Sequence, residues 1–322
     1  MKKTVAVLTS GGDAPGMNAA IRAIVRVGLH RDCRILGVYG GFEGLISGDL
    51  QELDSRSVGN IIQRGGTILQ TARCPAFRDL SGREKARENL IKNRVDILIV
   101  VGGDGSFRGC LALSDIWDGQ VIGVPGTIDS DIYGTDETIG FDTAATTALD
   151  AIDKIRDTAD SHGRFFVVEV MGRHSGLLAQ YVGFAGGAEA LFLPEVKEDI
   201  HEVCSMILRG HREGKRSSII VVAEGNEGGG YAVARRLFEH SGEHYRVVVL
   251  GHTQRGGSPS ARDRILATKL GAYAVEVALE GEHLVMTGEQ SGVLATVPLL
   301  DAVQKKKPLD PIMDRYFSIL VK

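Results

Sequence analysis

Two carboxylates two residues apart, Asp129 and Asp131, stand with Thr127 in the stretch Pro125-Gly126-Thr127-Ile128-Asp129-Ser130-Asp131. The apolar run Val121-Ile122-Gly123-Val124 precedes the stretch and a long helical pattern follows it, so the acids lie where a buried strand opens into a loop. A pair of this kind suits a general base and a second anion that orients a hydroxyl or a metal. Asp and Ser also favour turns, because their side chains cap nearby backbone groups, and taken alone the stretch reads as a turn. What gives it chemical weight is that other strand ends carry polar, glycine-rich loops.

One such loop, Gly102-Gly103-Asp104-Gly105-Ser106-Phe107-Arg108-Gly109, follows the run Ile97 to Val101 and leads into a helical pattern. Glycines let backbone amides approach phosphate oxygens, the helix start adds a partial positive charge, and Asp104 could hold magnesium. The spacing of Gly103, Gly105 and Gly109 misses the dinucleotide pattern G-x-G-x-x-G by one residue, and Gly210 to Lys215 falls one residue short of a Walker A loop and ends in Arg216. Neither a nicotinamide enzyme nor a P-loop kinase is indicated. Gly11-Gly12-Asp13, after Val5 to Thr9, has the same phosphate-cradling character, and Thr71-Ala72-Arg73-Cys74-Pro75 puts an arginine in a turn where it could meet a developing phosphoryl charge. In the second half, Met171-Gly172-Arg173, Glu224 and Gly251-His252-Thr253-Gln254-Arg255-Gly256-Gly257 each end an apolar run, and cations with one acid suit a phosphorylated polyol. Arg22 and Arg26, four apart on a helical pattern, would present two cations side by side.

The elements that must position these groups alternate apolar run, turn and helix: Val5 to Thr9, Arg34 to Tyr39, Asp96 to Val101, Val121 to Val124, Phe165 to Val170, Ile219 to Ala223 and Val247 to Leu250. This alternation predicts an α/β fold of mainly parallel sheets, and runs so uniformly apolar predict strands covered on both faces. Ligands then gather beyond the carboxyl ends of the strands. Gly225 to Gly230 reads as a loop. The chain has 322 residues, room for two domains, and its 42 glycines are nearly twice the roughly 7% of average chains. A net charge of −4 and the lack of a basic run argue against nucleic acid. Cys33, Cys74, Cys110 and Cys204 are too scattered for a disulfide framework or zinc knuckle, no leader or membrane span is seen at the N-terminus, and the expected location is cytoplasmic. His240 and His244 are four apart but separated by Ser241-Gly242, which favours a solvated surface over a metal site.

Together the loops resemble the bacterial ATP-dependent 6-phosphofructokinases over nearly the whole chain, in Leu8 to Asn18, Gly102 to Ser106, Pro125 to Asp131, Met171 to Arg173 and Gly251 to Pro259. The resemblance implies two Rossmann-like three-layer domains: an ATP-binding domain over 1–140 plus about 255–305, and a fructose 6-phosphate-binding domain over about 141–254 plus 306–322. It implies a magnesium-dependent homotetramer that phosphorylates the sugar 1-hydroxyl. By position, Asp129 corresponds to the base, supported by Asp131 and Thr127, with Gly12, Arg73 and Arg173 steadying the transferring phosphoryl and Asp104 placing the metal. Phe42, Cys74, Gly103, Gly105, Ser106 and Gly109 complete the nucleotide side. Met171, Gly172, Arg173, Glu224, Arg246, His252 and Arg255 make up the sugar side, with Arg164 reaching a neighbouring subunit. Phe42 stands where the family often has Tyr against the adenine. Arg22, Arg26, Arg156, Gly187, Glu189, Lys215 and Arg216 match effector positions, which implies ADP and phosphoenolpyruvate as effectors.

Four departures stand out. Ser130 occupies a position usually held by Asn, and Ser55, Glu213 and Ser217 stand where basic residues or His are common. The pyrophosphate-dependent relatives carry Asp at the position of Gly105 and Lys at that of Gly126, so glycine at both leaves room for a nucleotide. A sugar-phosphate or nucleotide sensor that kept the fold is the other alternative, though a sensor needs no base.

Overall fold

The computed structural model describes residues 2–321. Among them eleven strands run in chain order: β1 Thr4–Thr9, β2 Arg34–Val38, β3 Leu50–Glu52, β4 Ile97–Gly102, β5 Gln120–Pro125, β6 Phe165–Val170, β7 Ala190–Phe192, β8 Ser218–Ala223, β9 Tyr245–Val249, β10 Val285–Gln290 and β11 Val293–Pro298. The chain falls into two compact units, one of Met1–Ile128, Ile132–Thr143 and Arg255–Lys307, the other of Asp129–Asp131, Ala144–Gln254 and Pro308–Lys322.

The first unit is organised on a sheet of order β11-β10-β5-β4-β1-β2-β3. Its central strands β1 and β4 are buried at every residue and pair in parallel, Val5 with Ile97 through Thr9 with Val101. Successive side chains alternate faces. Ala6, Leu8, Leu98 and Val100 pack with Leu90, Phe107 and Leu113 from the helices Leu80–Lys92 and Asp104–Ser114. The helices Met17–His30 and Ala261–Glu280 pack on each other, and their buried residues include Ile21, Ile24, Leu270 and Ala274. The periodicity expected for the first helix is therefore present. Arg26 is exposed and Arg22 half-buried on its other face.

A buried carboxylate fixes the approach to the long helix Phe141–His162. Asp263 accepts hydrogen bonds from the Gly140 amide at 2.7 Å, the Thr143 amide at 2.8 Å and the Thr143 hydroxyl at 2.5 Å. Donors at a helix start lack intrahelical partners, and this side chain supplies them. Burial pushes its carboxyl upward, while the Thr143 hydroxyl and the two amides pull it back. Asp263→Ala leaves those donors without their acceptor and is expected to destabilise the protein by about 3 kcal/mol. A change below about 0.5 kcal/mol in urea unfolding would show that water replaces the carboxylate without cost.

The second unit holds the parallel sheet β7-β8-β6-β9. Its core joins Phe165, Val167, Ile220 and Val222 to Val203, Ile207 and Leu237 from the helices Ile200–Arg212 and Gly229–Ser241. Boundaries differ from the sequence reading in detail. β9 starts two residues before Val247 and stops short of Leu250, and the stretch after it forms a 3-10 turn, Gly251–Arg255. The long helix begins only at Phe141. Gly225 to Gly230 is a turn inside the second unit, running into the helix Gly229–Ser241. No helix among the described residues is long and apolar enough to cross a membrane.

Candidate active site

In the first unit the sheet order puts the carboxyl ends of β1, β4 and β5 side by side. The loops after them are in contact. A Cβ on Gly102 would lie 2.6 Å from Ser106 Oγ and one on Gly11 3.6 Å from it, while a Cβ on Gly103 would lie 3.5 Å from Thr127 Cβ. Gly11, Gly103, Ser106 and Thr127 are thus one constellation, as a phosphate cradle requires. A Cβ on Gly12 would come within 2.3 Å of Arg255 Nη1, so a side chain there would have to displace the Arg255 guanidinium. Arg255, expected on the sugar side, lies in the first unit and donates to the Asp13 carbonyl at 3.1 Å. Asp104 opens the helix Asp104–Ser114 and accepts from Arg108 Nε at 3.0 Å with both side chains partly exposed, so its carboxylate remains within reach of a ligand. Gly109 packs against two rings, a Cβ there reaching 3.1 Å from Phe42.

Arg73 is exposed and makes no hydrogen bond or ion pair among the described residues. Its loop is tied to the first one by the Thr71 hydroxyl, which donates to the Gly11 carbonyl at 2.9 Å. Phe42, expected as a ring against the adenine, is buried and stacks on Phe77 with centroids 4.1 Å apart, so one of its faces is taken. The Cys74 thiol donates to Glu43 Oε2 at 3.0 Å. Burial, then that bond to a carboxylate, pushes the thiol up to about 11. Cys74 is also the sole cysteine of the four that is not buried. Reaction of the native protein with an aromatic disulfide at pH 8 is therefore expected to run about 100-fold slower than a free thiol and to rise about tenfold per pH unit. A rate equal to that of a free thiol at pH 8 would overturn this reading of the Glu43 contact.

In the second unit Asp129 is 4% exposed, and Arg173 Nε lies 3.9 Å from its Oδ2. Arg173 follows the carboxyl end of β6, and its amide donates to Glu224 Oε1 at 2.7 Å, so Glu224 holds the loop as well as facing it. The Met171 amide donates to Gln254 Oε1 at 2.9 Å. Sequence reasoning passed over Gln254, which is fully buried and whose Nε2 has no hydrogen-bond partner among the described residues. An amide held between two loops 83 residues apart leaves no local signal beyond its place between His252 and Arg255. His252 itself is exposed in the 3-10 turn.

Two expected sugar ligands are not brought to this group by their own chain. Arg164 immediately precedes β6 and Arg246 is the second residue of β9, which runs parallel to β6 with Phe166 opposite Arg246. Both stand at the amino ends of their strands, while Met171 to Arg173 leave the carboxyl end. The length of β6 separates them, roughly 20 Å at the rise of a parallel strand, beyond the reach of an arginine side chain. Arg246 thus shares a strand end with Arg164, which the resemblance sends to a neighbouring subunit.

Of the expected effector residues, Arg156, Gly187, Glu189, Lys215 and Arg216 lie in the second unit and Arg22 and Arg26 in the first. Glu189 is buried and saturated: Lys215 Nζ is 2.6 Å and Arg156 Nη1 3.7 Å from its Oε1, and the Ile219 amide donates to Oε2. Arg156 also donates to the carbonyls of Gly186 and Gly187 at 2.6 and 2.9 Å. A cavity of about 90 Å³ adjoins them, with Phe184, Phe317 and Leu320 on its apolar side. Arg216, Ser55 and Glu213 are exposed, whereas Ser217 is buried with its hydroxyl on Asp160. Ser217 does not face a surface anion site.

Residues 4–278 match the family described as Phosphofructokinase. The ATP-dependent 6-phosphofructokinase of Bacillus pumilus (strain SAFR-032) is 54% identical over 313 residues, covering 97% of this chain and 98% of that protein. ATP-dependent 6-phosphofructokinase 1 of Thermus thermophilus is 51% identical over 319 residues, 99% of each. Among solved structures, phosphofructokinase from Saccharomyces cerevisiae superposes with a TM-score of 0.90 at 37% identity, covering 99% of this chain. The chain spans 47% of that longer one.

Proposed function

This chain belongs to the phosphofructokinase family, and on that premise we propose that it transfers the terminal phosphoryl group of ATP to the 1-hydroxyl of fructose 6-phosphate, a step of glycolysis. The observation that carries the reading at the level of chemistry is the buried Asp129 with the Arg173 guanidinium beside it, at the end of a loop that begins on Thr127. Asp129 takes the proton from the hydroxyl as the new bond forms, because that hydroxyl is a poor nucleophile until it is deprotonated. Asp131 and Thr127 support it. Arg173 and Arg73 balance charge that develops on the transferring group, and the amides around Gly12 and Gly103 hold the donor phosphates.

The donor set fits magnesium bound in the usual way for a nucleotide enzyme, through the partly exposed Asp104 carboxylate and the phosphates themselves. When bound, the ion would neutralise phosphate charge. Glycine at 105 and 126 favours ATP over pyrophosphate as donor, and the retained buried base favours an enzyme over a sensor. The position of Arg164 and Arg246 at the amino ends of β6 and β9 supports a homotetramer in which a neighbouring subunit supplies these cations. Four unpaired thiols suit a cytoplasmic enzyme. ADP and phosphoenolpyruvate would act at the Arg22, Arg26, Arg156, Lys215 and Arg216 set. There an incoming anion must compete with Glu189 for Lys215 and Arg156, and the exposed Glu213 opposes it. The test is a coupled assay of the purified protein with fructose 6-phosphate, magnesium and either ATP or pyrophosphate. ATP-driven turnover with little from pyrophosphate is the expected result, and equal rates would sink the donor assignment.

A further inference from the structure

Eight non-glycine residues among those described adopt a left-handed backbone: Asp32, Asn60, Gln70, Arg94, Ser130, Arg173, Leu284 and Ser291. Most serve turns at the surface. Ser130, 3% exposed at φ +52°, is the sole buried member of the set. It sits between the two acids of the loop. Its counterpart across the ion pair is Arg173, also at φ +52° and directly after Gly172 at φ +143°. The Asp129–Arg173 pair is thus carried on left-handed backbone from both sides.

We propose that Ser130 is a positioning residue: its left-handed backbone sets the direction of the Asp129 carboxylate, and a side chain that excludes this conformation turns the base away from its proton. The inference rests on the assignment of Asp129 as base. Non-glycine residues avoid the left-handed region because Cβ crowds the neighbouring carbonyl oxygen, and the penalty grows with branching at Cβ. Gly adopts it freely, and Asn visits it more readily than most residues. Rotation of Ser130 to an extended or right-handed φ would swing the peptide planes on either side and carry both Asp129 and Asp131 with them. Burial leaves the segment little room to absorb that rotation elsewhere. A strained residue inside a catalytic loop marks a place where the surrounding fold imposes a geometry the local sequence does not favour.

The test is a graded series at one position, Ser130→Gly, Ser130→Asn, Ser130→Ala and Ser130→Val, read by kcat, KM for fructose 6-phosphate, the pH profile of kcat and urea unfolding. Ser130→Val is expected to lower kcat by about 10- to 100-fold, since misplacing a reacting group by an ångström has effects of that size, while KM changes less than about threefold. The acid limb of the pH profile should move with it. Ser130→Gly and Ser130→Asn should restore kcat to within about threefold of the parent, and Ser130→Ala should fall between, which keeps the series informative if the valine variant folds poorly. In an Asp129→Ser background, Ser130→Val should cost less than about twofold more, because the group it misdirects is gone. The proposal is overturned by a folded Ser130→Val enzyme with kcat within threefold of the parent. It is equally overturned if Gly and Val are equally slow, which would assign the work to the hydroxyl, or if the full valine effect persists without Asp129. Failure of the base assignment is seen separately, in Asp129→Ser alone remaining fast.

Discussion

Asp129→Ser should lower kcat by roughly 10²- to 10⁴-fold, the usual contribution of a positioned general base. Serine keeps a small polar side chain but cannot accept the proton near neutral pH. KM for fructose 6-phosphate should move much less, since a base that acts on a proton in flight is needed most in the transition state. Removing the carboxylate also leaves the Arg173 guanidinium without its neighbour at 3.9 Å. Arg173 is half-exposed, so water replaces that partner at small cost and the protein should remain folded. Steady-state kinetics on the purified variant decide the matter: more than about a tenth of wild-type kcat would remove Asp129 from the role of base.

Gly105→Asp should reduce kcat/KM for ATP by about 10²-fold while leaving the fold intact. A Cβ at Gly105 would meet no atom within 4 Å, and the position lies in the first turn of the helix Asp104–Ser114, where an acid is favourable to the helix. The substitution therefore costs the empty protein little. A second carboxylate beside Asp104 meets the nucleotide phosphates instead, and at an effective dielectric near 20 two charges about 5 Å apart interact by ~3 kcal/mol before screening. Gly126→Lys would be a poorer probe, because its Cβ would press to 3.0 Å from Val101 Cγ1 and 3.2 Å from Met17 Cε. Unchanged ATP kinetics in a folded Gly105→Asp enzyme would mean that the open space at this position does not face the phosphates.

Seven strands were legible in the sequence. In β1, β2, β4, β5, β6 and β8 burial on both faces explains the nearly unbroken apolar run, whereas β9, also legible, is only partly buried, against the expectation of full cover. β3 and β7 are three residues each, too short to carry a pattern. The β10–β11 hairpin escaped notice although its turn is written in Ser291 and Gly292, at φ +51° and +79°, a dipeptide typical of tight hairpins. Glycine loops and the paired acids were visible because their chemistry is local. Gln254 and Glu224 as struts of the Met171 to Arg173 loop were not, since their partners lie 83 and 51 residues away. The strand end at which Arg246 stands was hidden for a related reason. Residue type showed a cation on a strand, but only the register of β9 against β6 shows at which end it stands.

The interleaving of the first unit also sets the order in which this chain can mature on the ribosome. β5 borders β4 on one side and, on the other, β10, whose residues are made some 160 positions later. At ordinary synthesis rates of about 5–20 residues per second, that flank of β5 waits roughly 10–30 s for its neighbour. During the wait Val121, Ile122 and Val124 lie along an open, apolar sheet margin, the kind of template on which nascent chains associate with one another. The parallel sheet of the second unit, by contrast, is complete once Val249 has been made. The nascent protein thus passes through a stage in which the sheet of its later-starting half is complete while its earlier-starting half still offers an edge to chaperones and to other copies.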